Sequence, residues 1–104
     1  LISINPAITA VCCVNDQVAY GVCKAVNKLV KKVGVDVSVI GFGDTKYSRD
    51  FEYQITSVRI PPERVARELW RALRWEIESP FTDPATVLVE AELIVRGTTG
   101  KIQN

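Results

Sequence analysis

With 104 residues, 47% of them hydrophobic and 24% charged, the chain has enough apolar material for one globular domain. A formal charge of +1 and scattered basic residues exclude the electrostatic footprint of a nucleic-acid-binding module. The absence of histidine removes imidazole bases, imidazole metal ligands and the Ser-His and Cys-His nucleophile pairs.

No apolar run approaches the ~18 residues of a membrane span, and no signal-peptide pattern opens the sequence, so the chain reads as soluble and cytoplasmic. Cys12, Cys13 and Cys23 are odd in number and match neither C-x-x-C nor zinc spacing, which points to buried free thiols. Residues 8–14 are apolar almost throughout and predict a central strand of a parallel sheet covered on both faces. Asn15 and Asp16 follow, two small polar residues able to cap a helix. Val18, Ala19, Val22, Cys23, Val26, Leu29, Val30 and Val33 then recur at 3.6-residue spacing and predict a helix from residue 17 to a stop at Gly34. Gly21 inside it marks either close packing or a tolerated cost of about 1 kcal/mol.

Residues 35–42 predict a second strand ending at Gly43-Asp44, which completes a parallel βαβ unit. Ligands of open α/β sheets bind beyond the carboxyl ends of the strands, where Asn15, Asp16, Gly43 and Asp44 converge. A polar loop over residues 45–54 leads to a short alternating strand at 55–60. Pro61-Pro62 and Glu63 open a helix running to about residue 79, with Val65, Ala66, Leu69, Leu73 and Ile77 on one face and Trp70 widening it. Residues 86–89 and 92–95 read as strand pieces, and the tail 98–104 as mobile.

Four motifs in order resemble the C-terminal part of the effector-binding domain of LacI/GalR-family transcriptional regulators. Val14-Asn15-Asp16-Gln17-Val18-Ala19-Tyr20-Gly21 resembles the family's A-N-D-x-x-A-x-G run, and residues 36–44 (Asp-Val-Ser-Val-Ile-Gly-Phe-Gly-Asp) resemble D-[VI]-S-V-[VI]-G-[YF]-D-D. Ile55-Thr56-Ser57-Val58 resembles L-T-T-[VI], and Leu93-Ile94-Val95-Arg96-Gly97-Thr98-Thr99 resembles the closing L-V-x-R-x-[ST]-T. The resemblance covers residues 6–99. It implies an α/β, periplasmic-binding-protein-like (type I) fold of two lobes, of which this chain is a fragment. Residues 1–52 and 87–96 would belong to the C-terminal lobe and 55–81 to the N-terminal lobe.

The same resemblance implies a repressor without catalytic activity, cofactor or metal. It would bind a small sugar-like or nucleobase-like effector between the lobes, form a homodimer, and reach DNA only through a headpiece absent from this chain. Asn15, Asp16, Asp44 and Gly43 fall at the ligand edge. Gly43 stands where the resembled family often has an acid, and Pro62 where it often has an aromatic platform, two departures from its pattern. Ala19, Tyr20, Cys23, Asn27 and Phe51 would form a two-fold dimer patch. Two other readings compete: a periplasmic sugar-binding protein of a transporter, which shares the fold, and a small enzyme using Asp16 and Asp44 as a carboxylate or Mg²⁺ pair.

Overall fold

The computed structural model describes residues 5–49, 52–79, 83 and 86–101. Along the described residues run β1 (Ala10–Cys12), α1 (Asp16–Lys28), β2 (Ser38–Phe42), α2 (Lys46–Arg49), β3 (Thr56–Arg59), α3 (Pro62–Glu78) and β4 (Glu92–Ile94). The strands form a sheet of order β1-β2-β3-β4. β1 and β2 are parallel, with Ala10 opposite Ser38 and Cys12 opposite Ile40. β2 and β3 are parallel as well, with Ile40 opposite Thr56 and Phe42 opposite Val58. The α/β class and the β1-α1-β2 unit expected from the sequence are both present.

The chain divides into two compact units, one running to Arg59 and resuming at Leu93, the other spanning Ile60–Glu92. β3, which the sequence reading grouped with the other lobe, is bonded along β2 within the first unit. The core of the first unit lies between α1 and the sheet. Ala19, Cys23 and Val26, spaced four and three residues apart on one helical stripe, pack against Val37, Val39 and Ile55. In the second unit α3 starts at Pro62, whose missing N–H costs nothing in a first turn, and Glu63 complements the positive end of the helix dipole. None of its residues is buried, and Leu69, Trp70 and Ile77 stand in solvent.

α1 ends at Lys28, well before the expected stop at Gly34. Val30 N–H bonds Asn27 O at 3.1 Å and Lys31 N–H bonds Val26 O at 3.3 Å, the paired bonds of a Schellman motif, with Val30 at φ +58° in its left-handed position. The chain then folds back on itself: the Asp36 carboxylate accepts the Lys32 N–H at 2.6 Å, and Asp36 N–H returns to Lys32 O at 2.8 Å. Valine in that conformation costs about 1–2 kcal/mol, and Val30 is 95% exposed, so little packing offsets it. Val30→Gly is expected to stabilise the protein by about 1 kcal/mol in denaturant unfolding. An unchanged or lower midpoint would show that the cap is not strained.

Several other expectations change. β1 keeps only the middle of its predicted run, stands first rather than centrally in the strand order, and is not covered on both faces, since Ala10 and Cys12 are exposed on either side of the half-buried Val11. Cys13 is half-buried and Cys23, on α1, is buried. All three cysteines are free. An alanine Cβ at Gly21 would meet nothing within 4 Å, so no close packing explains that glycine. Residues 86–89 form no strand: Leu88 is 88% exposed, and no strand beside them among the described residues takes up their backbone groups. The tail is anchored through its first turn, where the buried Thr98 hydroxyl donates to Val39 O at 2.7 Å and accepts the Thr56 N–H at 2.9 Å.

Candidate functional site

β1 and β2 end side by side at their carboxyl edge, because parallel pairing brings the residues after both strands to one end of the sheet. Asn15, extended at φ −157°, is the N-cap of α1, and its Oδ1 accepts the Val18 N–H at 2.8 Å. The side chain is otherwise exposed, and its amide nitrogen donates to no group among the described residues. An open cleft of about 270 Å³ lies beside it, lined by Asn15, Asp16, Gln17, Thr45, Lys46 and Tyr47.

Asp16 is fully buried rather than presented to the cleft mouth. One carboxylate oxygen accepts the Thr45 N–H at 2.6 Å and the Thr45 hydroxyl at 2.9 Å; the other accepts the Ser57 hydroxyl at 2.5 Å. Ser57 Oγ in turn accepts the Asp44 N–H at 3.0 Å. Gly41 makes room for this arrangement: a Cβ there would overlap Asp16 Oδ1 and lie 3.1 Å from its Cα. Gly43 sits at φ +111°, in the region that favours glycine over residues with a side chain.

Asp44 is buried too, and its carboxylate is shared among three donors. Oδ1 accepts the Ser48 hydroxyl at 2.9 Å and Arg96 Nη2 at 2.6 Å, and Oδ2 accepts Arg59 Nε at 2.7 Å. Arg96 also donates Nη1 to Ile55 O at 2.8 Å. Burial pushes the Asp44 carboxyl upward, but the hydrogen bonds from Arg96, Arg59 and Ser48 outweigh it and bring it down to about 2. Both carboxylates of the carboxylate-pair reading are thus occupied by internal donors. Among the described residues no group of three or more His, Cys, Asp or Glu side chains could hold a metal ion.

The dimer-patch residues separate. Ala19 and Cys23 are fully buried and face the sheet, so their side chains belong to the intrachain core rather than to a surface patch. Burial pushes the Cys23 thiol up to about 11. Tyr20 and Asn27 remain at the surface of α1, joined by a residue not singled out from the sequence: Tyr20 meets Tyr53 edge-on at 5.7 Å between centroids, and Asn27 Nδ2 donates to Tyr53 Oη at 2.9 Å. Phe51 lies outside the described residues. Thr45, Ser57, Arg59 and Arg96 were likewise not singled out as site residues. Two of them carried a sequence signal: Ser57 through its place in the Ile55-Thr56-Ser57-Val58 motif and Arg96 through its place in the closing motif.

Residues 1–99 match the model of the periplasmic binding protein-like domain. The chain belongs to that family. The HTH-type transcriptional repressor PurR of Vibrio vulnificus is 31% identical over 94 residues, 90% of this chain and 28% of that protein. Among solved structures, the transcriptional regulator CelR in complex with cellobiose superposes with a TM-score of 0.82 at 28% identity, covering 93% of this chain and 30% of that one. The lac repressor dimer bound to operator and the anti-inducer ONPF superposes at 0.81 with 24% identity, over 96% of this chain and 35% of that one, and shares the fold. The chain therefore spans under a third of the length of the curated relatives it matches. The resemblance to LacI/GalR regulators holds, and these relatives are named as repressors and regulators, not as enzymes. Among the described residues no helix is long and apolar enough to cross a membrane.

Proposed function

We propose that this chain is the effector-binding and dimerisation portion of a cytoplasmic LacI-type transcriptional repressor, taking a sugar-like or nucleobase-like ligand in a cleft between two lobes. The observation that carries the reading is the carboxyl edge of β1 and β2, where an exposed asparagine amide borders an open cleft and is backed by a buried polar network. CelR, similar in sequence and fold, binds cellobiose, which favours a sugar-like ligand. The first unit corresponds to the C-terminal lobe and α3 to an element of the N-terminal lobe, whose sheet would cover the apolar face of that helix. The transporter reading is not favoured, since the relatives are named as repressors.

Within this reading Asn15 donates to the ligand, Gly43 borders it through its backbone, and Asp16 and Asp44 shape the edge from behind. Tyr20, Asn27 and Tyr53, with Phe51, form the dimer patch; an aromatic pair with an amide suits such a surface. The test uses the intact regulator. Cellobiose, other mono- and disaccharides and nucleobases are screened for a rise in unfolding midpoint, since a ligand at a hundredfold excess over its Kd adds about 2.7 kcal/mol to the free energy of unfolding. Asn15→Asp keeps the capping oxygen but removes the donors, so stability holds while affinity for the confirmed ligand falls about tenfold. Unchanged affinity removes Asn15 from the site. Tyr20→Asp is expected to shift gel filtration from dimer to monomer, and an unshifted profile removes the patch.

A further inference from the structure

We infer that the first unit carries a second binding site, for a phosphate-bearing small molecule, at the amino ends of β1 and β2, the opposite end of these strands from Asn15. A cavity of about 180 Å³ lies there, room for a phosphate group with a small substituent. Lys31 and Lys101 line it together with Thr9 and Ser38. Pro6, Ile8 and Val35 give it an apolar part. All of these residues belong to the first unit.

Three separate stretches of chain build the cavity. Thr9 immediately precedes β1 and Ser38 opens β2, and the Ser38 N–H donates to Thr9 O at 2.8 Å, so parallel pairing sets the two side by side. Lys31 follows the left-handed turn at Val30, its N–H on Val26 O, and the loop after α1 thereby reaches the same end of the sheet. Lys101 is delivered by the tail, where the Gly100 N–H donates to Ser38 Oγ at 3.2 Å. A Cβ on Gly100 would collide with Gly34 O, so the approach that brings this third stretch to the cavity requires glycine.

Among the described residues neither ammonium group has a carboxylate partner, and the Thr9 hydroxyl has no hydrogen bond. Ser38 Oγ accepts from Gly100 and keeps its own proton to donate. Asp36, the carboxylate in the lining, already accepts the Lys32 N–H at 2.6 Å, and two ammonium groups outnumber it. Available donors around a cavity of net positive charge select an anion. Lysine meets phosphate as a point charge, whereas the planar fork of arginine is matched to a carboxylate; among the described residues no arginine lines this cavity. The apolar part suits a phosphomonoester whose substituent is itself apolar on one face. The site shares no residue with the cleft beside Asn15 and is independent of what binds there.

The test titrates phenyl phosphate, inorganic phosphate and benzoate into the intact regulator by calorimetry at one ionic strength. Phenyl phosphate is expected to bind more tightly than either of the others, and Lys31→Gln combined with Lys101→Gln to weaken it about tenfold. Lys28→Gln combined with Lys32→Gln removes the same charge from exposed positions outside the lining, and its affinity should stay within about twofold of the unaltered protein. Asp36→Asn keeps an acceptor for the Lys32 N–H but deletes the charge, and is expected to tighten binding about threefold. Each variant is checked for folding by circular dichroism; should the Lys31 and Lys101 pair fail to fold, Lys101→Gln alone decides, since that residue is exposed. No binding of phenyl phosphate at millimolar concentration, equal weakening by the two lysine pairs, benzoate binding as tightly as phenyl phosphate, or weaker binding by Asp36→Asn overturns the proposal. Failure of the effector assay at Asn15 would move none of these results.

Discussion

Gly41→Ala is expected to destabilise the protein by about 3 kcal/mol, and Asp16→Ala by a similar amount, while the double variant costs distinctly less than their sum. The alanine methyl at position 41 falls on the Asp16 carboxylate, on a central strand where β1 and β3 flank the backbone on both sides. Neither the strand nor the start of α1 can withdraw cheaply, so the clash is overpacking in a rigid setting. Asp16→Ala does the opposite. It removes the acceptor for the Thr45 amide, the Thr45 hydroxyl and the Ser57 hydroxyl, and leaves donors without partners. In the double variant the methyl at 41 enters part of the space vacated by the carboxylate, and the steric part of the penalty is relieved. Equilibrium unfolding in urea of the three variants forms a thermodynamic cycle. Strict additivity would show that Gly41 and Asp16 do not share that space. Asp16→Asn should be milder than alanine, since one amide oxygen can still serve Thr45 while the amide nitrogen turns to Ser57 Oγ.

The parts of the fold that were legible in the sequence are those whose signals are local. α3 runs within a residue of its expected ends because Pro61-Pro62-Glu63 starts it and a 3.6-residue pattern sustains it. The βαβ unit was visible because an apolar run, a polar stop and a helical stripe lie in adjacent windows. The end of α1 was not visible: it depends on Val30 adopting a left-handed conformation that valine disfavours, held by a turn closed through Asp36.

The same distinction governs the site. Asn15 as a cap and Asn15, Asp16 and Asp44 at one sheet edge followed from strand ends alone. The burial of Asp16 did not, because its partners Thr45 and Ser57 lie 29 and 41 residues away. Thr98 was read as tail for the same reason: its hydroxyl partners are 59 and 42 residues distant. Ala19 and Cys23 were placed on a dimer patch by resemblance, whereas the helical phase that puts them beside Val26 turns them into the core.

Asp44→Asn is expected to cost about 3 kcal/mol near neutral pH and to remove an acid-dependent component from the stability of the protein. The substitution keeps the shape of the side chain but deletes the charge that two guanidinium groups share. Arg96, largely buried, then loses its counter-ion, while Arg59, 43% exposed, recovers solvation, so most of the loss comes from Arg96. The pH dependence follows from the same geometry. Asp44 titrates at about 2 in the folded protein against 3.8 as the ordinary value. The folded state therefore holds fewer protons than the unfolded state between those values, and the carboxylate contributes about 2 kcal/mol that is complete above the ordinary value and disappears as the pH falls through the folded one. Denaturant unfolding at about pH 6 and about pH 3 should show a steeper loss for the unaltered protein than for Asp44→Asn. Parallel losses in the two proteins would mean that other carboxylates carry the acid sensitivity, and that the Asp44 ion pairs are weaker than their 2.6–2.7 Å distances imply.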